Sequence, residues 1–361
     1  MELSKIKTLP RRIFSGEWSE GHVQGIAVDR DGKYIYFSFT TVLVKTDMSG
    51  HLIGTVTGLT GHLGCITYNS ADGRVYGSIE YKHDAIGLDI EKQTGRKLAA
   101  EDAFYVGIFD VEKISRVGMD AEKDGIMTAA YLPDAAEDYG FINPDGTKHR
   151  YACSGIDGVG FGPVFGSPDG SPYKLFVAYG IYNDTKRTDN DNQVLLQLDP
   201  EKVVSAALPL SQDAPHHSAV RAEERYFVYT GNTDWGVQNI EYDPFLNAWL
   251  VAVYPGSKKE FKNYPMYLLD CSVPARSRQL PGLDETGLMP EFLKIGRYDK
   301  KHGIYGCDFP LGSTGMASLG NGCYYFSIQG TTKDCMHTST VEMYRYSETS
   351  PDIFVVSDQD L

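Results

Sequence analysis

The chain has no long apolar run. No window of its 361 residues approaches the length of a membrane span, and its opening residues, MELSKIKTLPRR, lack the apolar centre of a secretion signal. The expectation is a soluble, cytoplasmic protein with no membrane partner. Positive charge is also scarce: 34 Lys and Arg stand against 48 Asp and Glu, a net charge of -14. Phosphate backbones need a basic surface, so nucleic acid is excluded as a partner. The pairs Arg11-Arg12 and Lys300-Lys301 are too short to be more than solvated surface.

Paired cysteines are missing as well. Cys65, Cys153, Cys271, Cys307, Cys323 and Cys335 are scattered without any C-x-x-C spacing, and Cys65 and Cys323 sit inside apolar stretches. Buried free thiols are expected, and a zinc knuckle is excluded. There is no G-x-S-x-G elbow, no H-E-x-x-H and no Walker loop; the GVGFG at 158–162 does not lie between a strand and a helix. Serine hydrolases, zincins and enzymes with a nucleotide cofactor drop out. Long amphipathic helices are absent too, with short helical turns hinted only at 135–137 and 290–294.

What the chain does have is a repeated hairpin. Residues 21–40, GHVQGIAVDRDGKYIYFSFT, read as strand, Asp-Gly turn and strand, with Ile35, Phe37 and Phe39 on one face at period two. An echo follows at 61–81, GHLGCITYNSADGRVYGSIEY, where Gly61-His62 stands for Gly21-His22. Weaker copies start near Gly158, Gly236 and Ser313, and the least regular spans 116–131 with its turn at Lys123-Asp124-Gly125. About six units of roughly sixty residues emerge, a period that suits a propeller better than a sandwich.

Each unit needs further strands to make a blade. Candidate third strands are 42–47, 85–89, 139–143, 194–199, 266–270 and 341–346, several of them leading through a turn to an outer strand. A four-stranded sheet cannot bury both faces alone, whereas sheets stacked radially bury one another. The 24 Tyr and 38 Gly fit many strands and many turns. The expected fold is all-β: one β-propeller domain over 1–361, of six four-stranded blades, seven if 274–310 hides strands. Residues 5–13 or 353–356 would complete the last blade and close the ring. The stretch 274–310 is longer than a connection needs and reads as an insertion or cap.

The blade pattern, with phrases such as GIAVDRDGKYIY, resembles the six-bladed propellers that include NHL-repeat proteins and the gluconolactonase, senescence-marker and paraoxonase-like enzymes. The resemblance covers most of the chain. It implies a site on the central axis, where such enzymes often hold a divalent metal with Glu, Asn and Asp ligands. Here histidines stand near the strand starts instead.

Propeller geometry indicates where to look. Every innermost strand begins at one mouth of the channel, so Glu20, His22 and Gln24, His62, Asp157, Asp234, Trp235 and Gln238, then Ser313 and Thr314 converge there. His22, His62 and Asp157 are the candidate catalytic residues, because imidazole and carboxylate together suit acid–base work. Gln24, Asp234, Trp235 and Gln238 are candidates for holding substrate, the indole suiting a sugar ring. One divalent ion on His22, His62 and Glu20 is the expected cofactor. Each of these side chains also has a plain structural use: histidine can lock neighbouring blades, Asp before Gly is an ordinary turn, and Trp235 can pack between blades. His216 and His217 face opposite sides of any strand, so one at most could join a site. The oxygen-rich tract 183–194 lacks the spacing and closing Glu of an EF-hand and reads as a surface loop.

Two functions follow. One is a hydrolase or lyase for a small polyhydroxylated or carbohydrate-like ligand at the channel mouth. The other is a propeller that binds a ligand or protein partner through its acidic rim and Tyr-rich loops, without turnover.

Overall fold

The computed structural model describes residues 1–98, 101–350 and 352–357. Five radial sheets surround one axis, and their innermost strands touch in a closed ring. Blade 1 runs outward through Val23–Val28, Tyr34–Phe39, Val42–Asp47 and Leu52–Thr57. Blade 2 is His62–Asn69, Arg74–Tyr81, Ala103–Phe109 and Met127–Tyr131. Cys153–Gly162, Lys174–Ile181, Asn192–Leu198 and Glu224–Tyr229 form blade 3, and Thr233–Asp243, Ala248–Pro255 and Met266–Asp270 form blade 4. Blade 5 takes Met316–Gly320, Cys323–Thr331 and His337–Tyr346 from the end of the chain and Arg12–Trp18 from its beginning. The protein is an all-β propeller.

The ring has five sheets among the described residues rather than six. Residues 116–131 do not form an inner hairpin. Met119–Asp120 instead runs parallel to the outer strand of blade 1, and Met127–Tyr131 is the fourth strand of blade 2. The turn between them holds because the Asp124 carboxylate accepts from the Asp120 N–H at 2.7 Å and from Arg116 at 2.9 Å. It therefore joins two blades, not two strands of one.

Two expected third strands do not form, each displaced by a helix. Ala85–Thr94 is a helix because the Asp84 side chain accepts from the Ile86 and Gly87 N–H groups, both at 3.0 Å, and Gly95 in the left-handed region ends it. Pro133 opens a second helix, Pro133–Gly140, with the fixed φ of a first turn, so 139–143 is no strand either. The third strand of blade 2 is the wholly buried AFYVGIF of Ala103–Phe109. Residues 290–294 form no helix.

The stretch 274–310 lies at the periphery. Its Arg276–Gln279 and Thr286–Met289 hairpin extends the outer edge of blade 3, while Phe292 and Cys307 bridge to the outer strand of blade 4. Both termini meet on one edge: Arg12–Trp18 and Phe354–Val356 each pair with His337–Tyr346.

Aromatic side chains fill the wedges between blades. Trp249 is fully buried, packing on Phe176 across the blade 3 to blade 4 interface at 4.7 Å between ring centroids. Burial of one such side chain stabilises by roughly 1.5–3 kcal/mol. Five of the cysteines are buried and all are free thiols. No helix among the described residues is long and apolar enough to cross a membrane.

Candidate functional site

The axis is not an open tube. Asn239, on the inner strand of blade 4, donates through Nδ2 to Gln24 O at 2.8 Å and Ser313 O at 3.0 Å, and its Oδ1 accepts from the Cys65 thiol at 3.1 Å. One buried amide thus ties together residues from blades 1, 2 and 4 and the segment entering blade 5. Above it a blind cavity of about 920 Å³ opens on one face.

The inner strands reach that cavity through the same local device. Pairing with the second strand slips between Val23 and Gly25, Leu63 and Ile66, Ile156 and Val159, and Asp234 and Val237. A bulge of this kind re-aims side chains, and here it brings Gln24, Asp157 and Trp235 to the cavity wall. Trp235 adopts a left-handed φ of 64°, uncommon for a large side chain. Gly64 is required by its surroundings: a Cβ there would lie 2.3 Å from Asp157 Oδ1 and 2.5 Å from Ser78 Oγ.

Of the ten residues expected at the mouth, Ser313 and Thr314 do not line this cavity and seven do: His22, Gln24, His62, Asp157, Asp234, Trp235 and Gln238. Glu20 does not. It borders a separate, smaller depression with Ser19, Thr41 and Thr57. Sequence reasoning missed Glu80, Lys82, Tyr254 and His337, which share the cavity. The signal was available, because in an antiparallel blade the second strand ends, and the third begins, at the mouth where the first starts. His216 is elsewhere, with Nε2 3.2 Å from Leu208 O, and His217 faces Glu101 at 3.5 Å.

Glu80 and Lys82 form the buried wall on blade 2. Lys82 Nζ lies 2.6 Å from Glu80 Oε1 and 3.4 Å from Asp84 Oδ2, and donates to Ser154 O at 2.7 Å. Burial pushes the Glu80 carboxyl up, but Lys82 and His62 outweigh it and hold the group below the ordinary range. Burial opposes the Lys82 charge, and the carboxylates of Glu80 and Asp84 prevail, so the ammonium is raised above its usual value. Glu80 Oε2 also accepts from the Ile156 N–H at 3.0 Å. His62 Nδ1 lies 3.3 Å from Glu80 Oε1 without the alignment of a hydrogen bond.

Asp157 and His22 are tuned in opposite ways. Asp157 touches the cavity yet lies deep in the protein, and this burial, with the Glu80 charge, drives its pKa up to about 7 against the pull of His62 and Lys82. Its Oδ1 accepts from the Cys65 N–H at 3.3 Å; among the described residues Oδ2 has no hydrogen-bond partner. Burial and the nearby His62 and His337 imidazoles lower His22 to about 4, leaving it neutral at physiological pH. His22 Nε2 is 3.2 Å from Gln24 Nε2. Tyr254 is pushed up to about 12 by burial and by Asp157, so it remains a hydroxyl donor.

The expected metal donor set does not fit. Glu20 is outside the cavity, the carboxylate next to His62 is engaged by Lys82, and no group of three or more His, Cys, Asp or Glu side chains among the described residues is gathered as a metal site. The oxygen-rich tract 183–194 is also satisfied, by a cation from another loop. Lys258 Nζ donates to Asn190 Oδ1 at 2.9 Å and Asp191 Oδ1 at 2.6 Å, placing an ammonium among those oxygens.

Fold and cavity together define a propeller with an axial pocket that opens on one face and is lined by both polar and apolar side chains. No protein-family model matches the chain, and no curated protein matches it. Among solved structures it is similar to the Dos1 propeller at 11% identity, covering 90% of this chain and 78% of that one with a TM-score of 0.31. It is also similar to hydrazine synthase of Kuenenia stuttgartiensis at 10% identity, covering 92% of this chain and 65% of that one, TM-score 0.32. Function must therefore be argued from the cavity itself.

Proposed function

We propose that the protein is a hydrolase or lyase whose acid–base group is Asp157, acting on a small polyhydroxylated, carbohydrate-like ligand in the axial cavity. The observation that carries this reading is the Asp157 carboxyl at the cavity wall, where burial pushes its pKa up to about 7 and Oδ2 has no hydrogen-bond partner among the described residues. A group poised near the working pH both accepts and returns protons well, which is the requirement for general acid–base catalysis.

Asp157 would take a proton from water as it attacks an acetal or ester carbon, or from a C–H beside a carbonyl. Neutral His22 and the His62 imidazole offer further acceptor and donor positions on the same wall, and the Tyr254 hydroxyl can donate to the departing oxygen. Gln24, Gln238 and Asp234 supply hydrogen bonds for ligand hydroxyls, and the half-exposed Trp235 indole offers a face for a sugar ring. No metal is needed for these proton transfers.

The test is Asp157→Asn assayed with a panel of glycosides, lactones and esters. Turnover should fall by about 10²–10⁴, and the wild-type rate should titrate near pH 7. A fully active Asp157→Asn protein would refute the assignment. Ligand binding without turnover in wild type would instead favour the binding propeller.

A further inference from the structure

The charges around the cavity restrict what can enter it. Among the described residues Lys82 is its only lysine or arginine, and that ammonium already serves Glu80, Asp84 and the Ser154 carbonyl. The helix Ala85–Thr94 leans over the same opening, but Asp84 occupies its first N–H groups, so its positive end is not free for an anion. His22 stays uncharged down to about pH 4. An anionic ligand would meet no unengaged fixed cation here.

Acceptors, in contrast, are left over. Asp157 and Asp234 line the cavity, and neither is in an ion pair among the described residues. Asp234 is beside Trp235, whose indole is 37% exposed and 5.9 Å from the Tyr182 ring. His62, 5% exposed on the same wall, turns its Nδ1 to Glu80 Oε1 at 3.3 Å and so offers the cavity no second cation. Carboxylates next to an exposed indole attract a cation through both charge and ring quadrupole.

We infer that the cavity selects a cationic ligand, an amine-bearing polyhydroxylated compound of the amino-sugar class, held with its ammonium between Asp157, Asp234 and the Trp235 face. This rests on the polyhydroxylated reading above and adds the charge. Uronic acids and sugar phosphates are disfavoured by the same geometry, because their anion would replace water beside unpaired carboxylates.

Calorimetry on the full chain with four probes separates the two ideas: a glucosamine trimer, its N-acetylated counterpart, a galacturonate trimer and spermidine. The glucosamine trimer should bind at least tenfold more tightly than the N-acetylated one, weaken as salt rises, and lose about tenfold with Asp234→Asn, while galacturonate should not bind. Equal or tighter binding of the acetylated trimer, or any binding of galacturonate, overturns the charge inference while leaving the polyhydroxylated reading intact. Binding of spermidine alone supports the charge inference and removes the sugar. Binding of none of the four defeats both.

Discussion

At the scale of single residues, the molecule keeps carboxyl groups where water solvates them poorly. Glu241 is two positions beyond Asn239 on the inner strand of blade 4; burial drives its pKa from 4.5 to about 8, the Ser318 N–H at 2.9 Å offsets this in part, and Asp243 adds to it. With a folded pKa above the unfolded one, native stability is greatest below about pH 4.5 for this group and falls as pH rises towards 8. Asp157 acts in the same sense between 3.8 and about 7. Glu241→Gln keeps an acceptor for Ser318 and removes the charge. It should stabilise the fold at pH 9 by up to about 5 kcal/mol, read as a higher thermal midpoint, and change that midpoint little at pH 5. Equal shifts at both pH values would show that the gain comes from packing rather than ionisation. The residues found from sequence were those near the starts of the inner strands, such as His22 and His62, together with Asp157 at the bulge within Cys153–Gly162. Those missed, Lys82, Tyr254 and His337, lie where the chain returns to the same mouth, which requires following the antiparallel path through a blade.

At the scale of elements, the hairpins were legible because Asp-Gly and Asn-Gly turns interrupt period-two apolar runs. The third strand of blade 2 was not. Residues 85–89, AIGLD, alternate like a strand, yet the carboxylate of Asp84 satisfies two N–H groups and starts a helix, an effect worth about 1 kcal/mol that outweighs a weak pattern. Blade 5 shows how much one edge carries. Arg12–Trp18 covers the outer edge of His337–Tyr346, and Ile6, Leu9 and Ile13 are buried with it against Val341 and Met343. Removing residues 1–18 should expose a strand edge and its apolar backing. The expected outcome is loss of the folded monomer in size-exclusion chromatography and rapid proteolysis of 337–346. A truncated chain that remains monomeric and protease-resistant would mean that Phe354–Val356 suffices to hold the blade.

At the scale of the whole molecule, the ring has no sulfur bonds to hold it, since every cysteine is a free thiol. Its cohesion comes from blade-to-blade packing and from ties such as Asn239, so the sheets should melt together. A reductant should leave the thermal midpoint unchanged, and scanning calorimetry should show one transition. Two separated transitions would mean that blades unfold independently, as in open solenoids.

The pairing of Arg12–Trp18 with His337–Tyr346 also bears on how the chain is made. The Arg12–Trp18 strand has no partner until His337–Tyr346 follows it from the ribosome, a delay of roughly 15 to 60 s at ~5–20 residues per second. Through that interval four blades can form in order while the opening segment waits with an unpaired edge, and it is then that a chaperone would have most to shield.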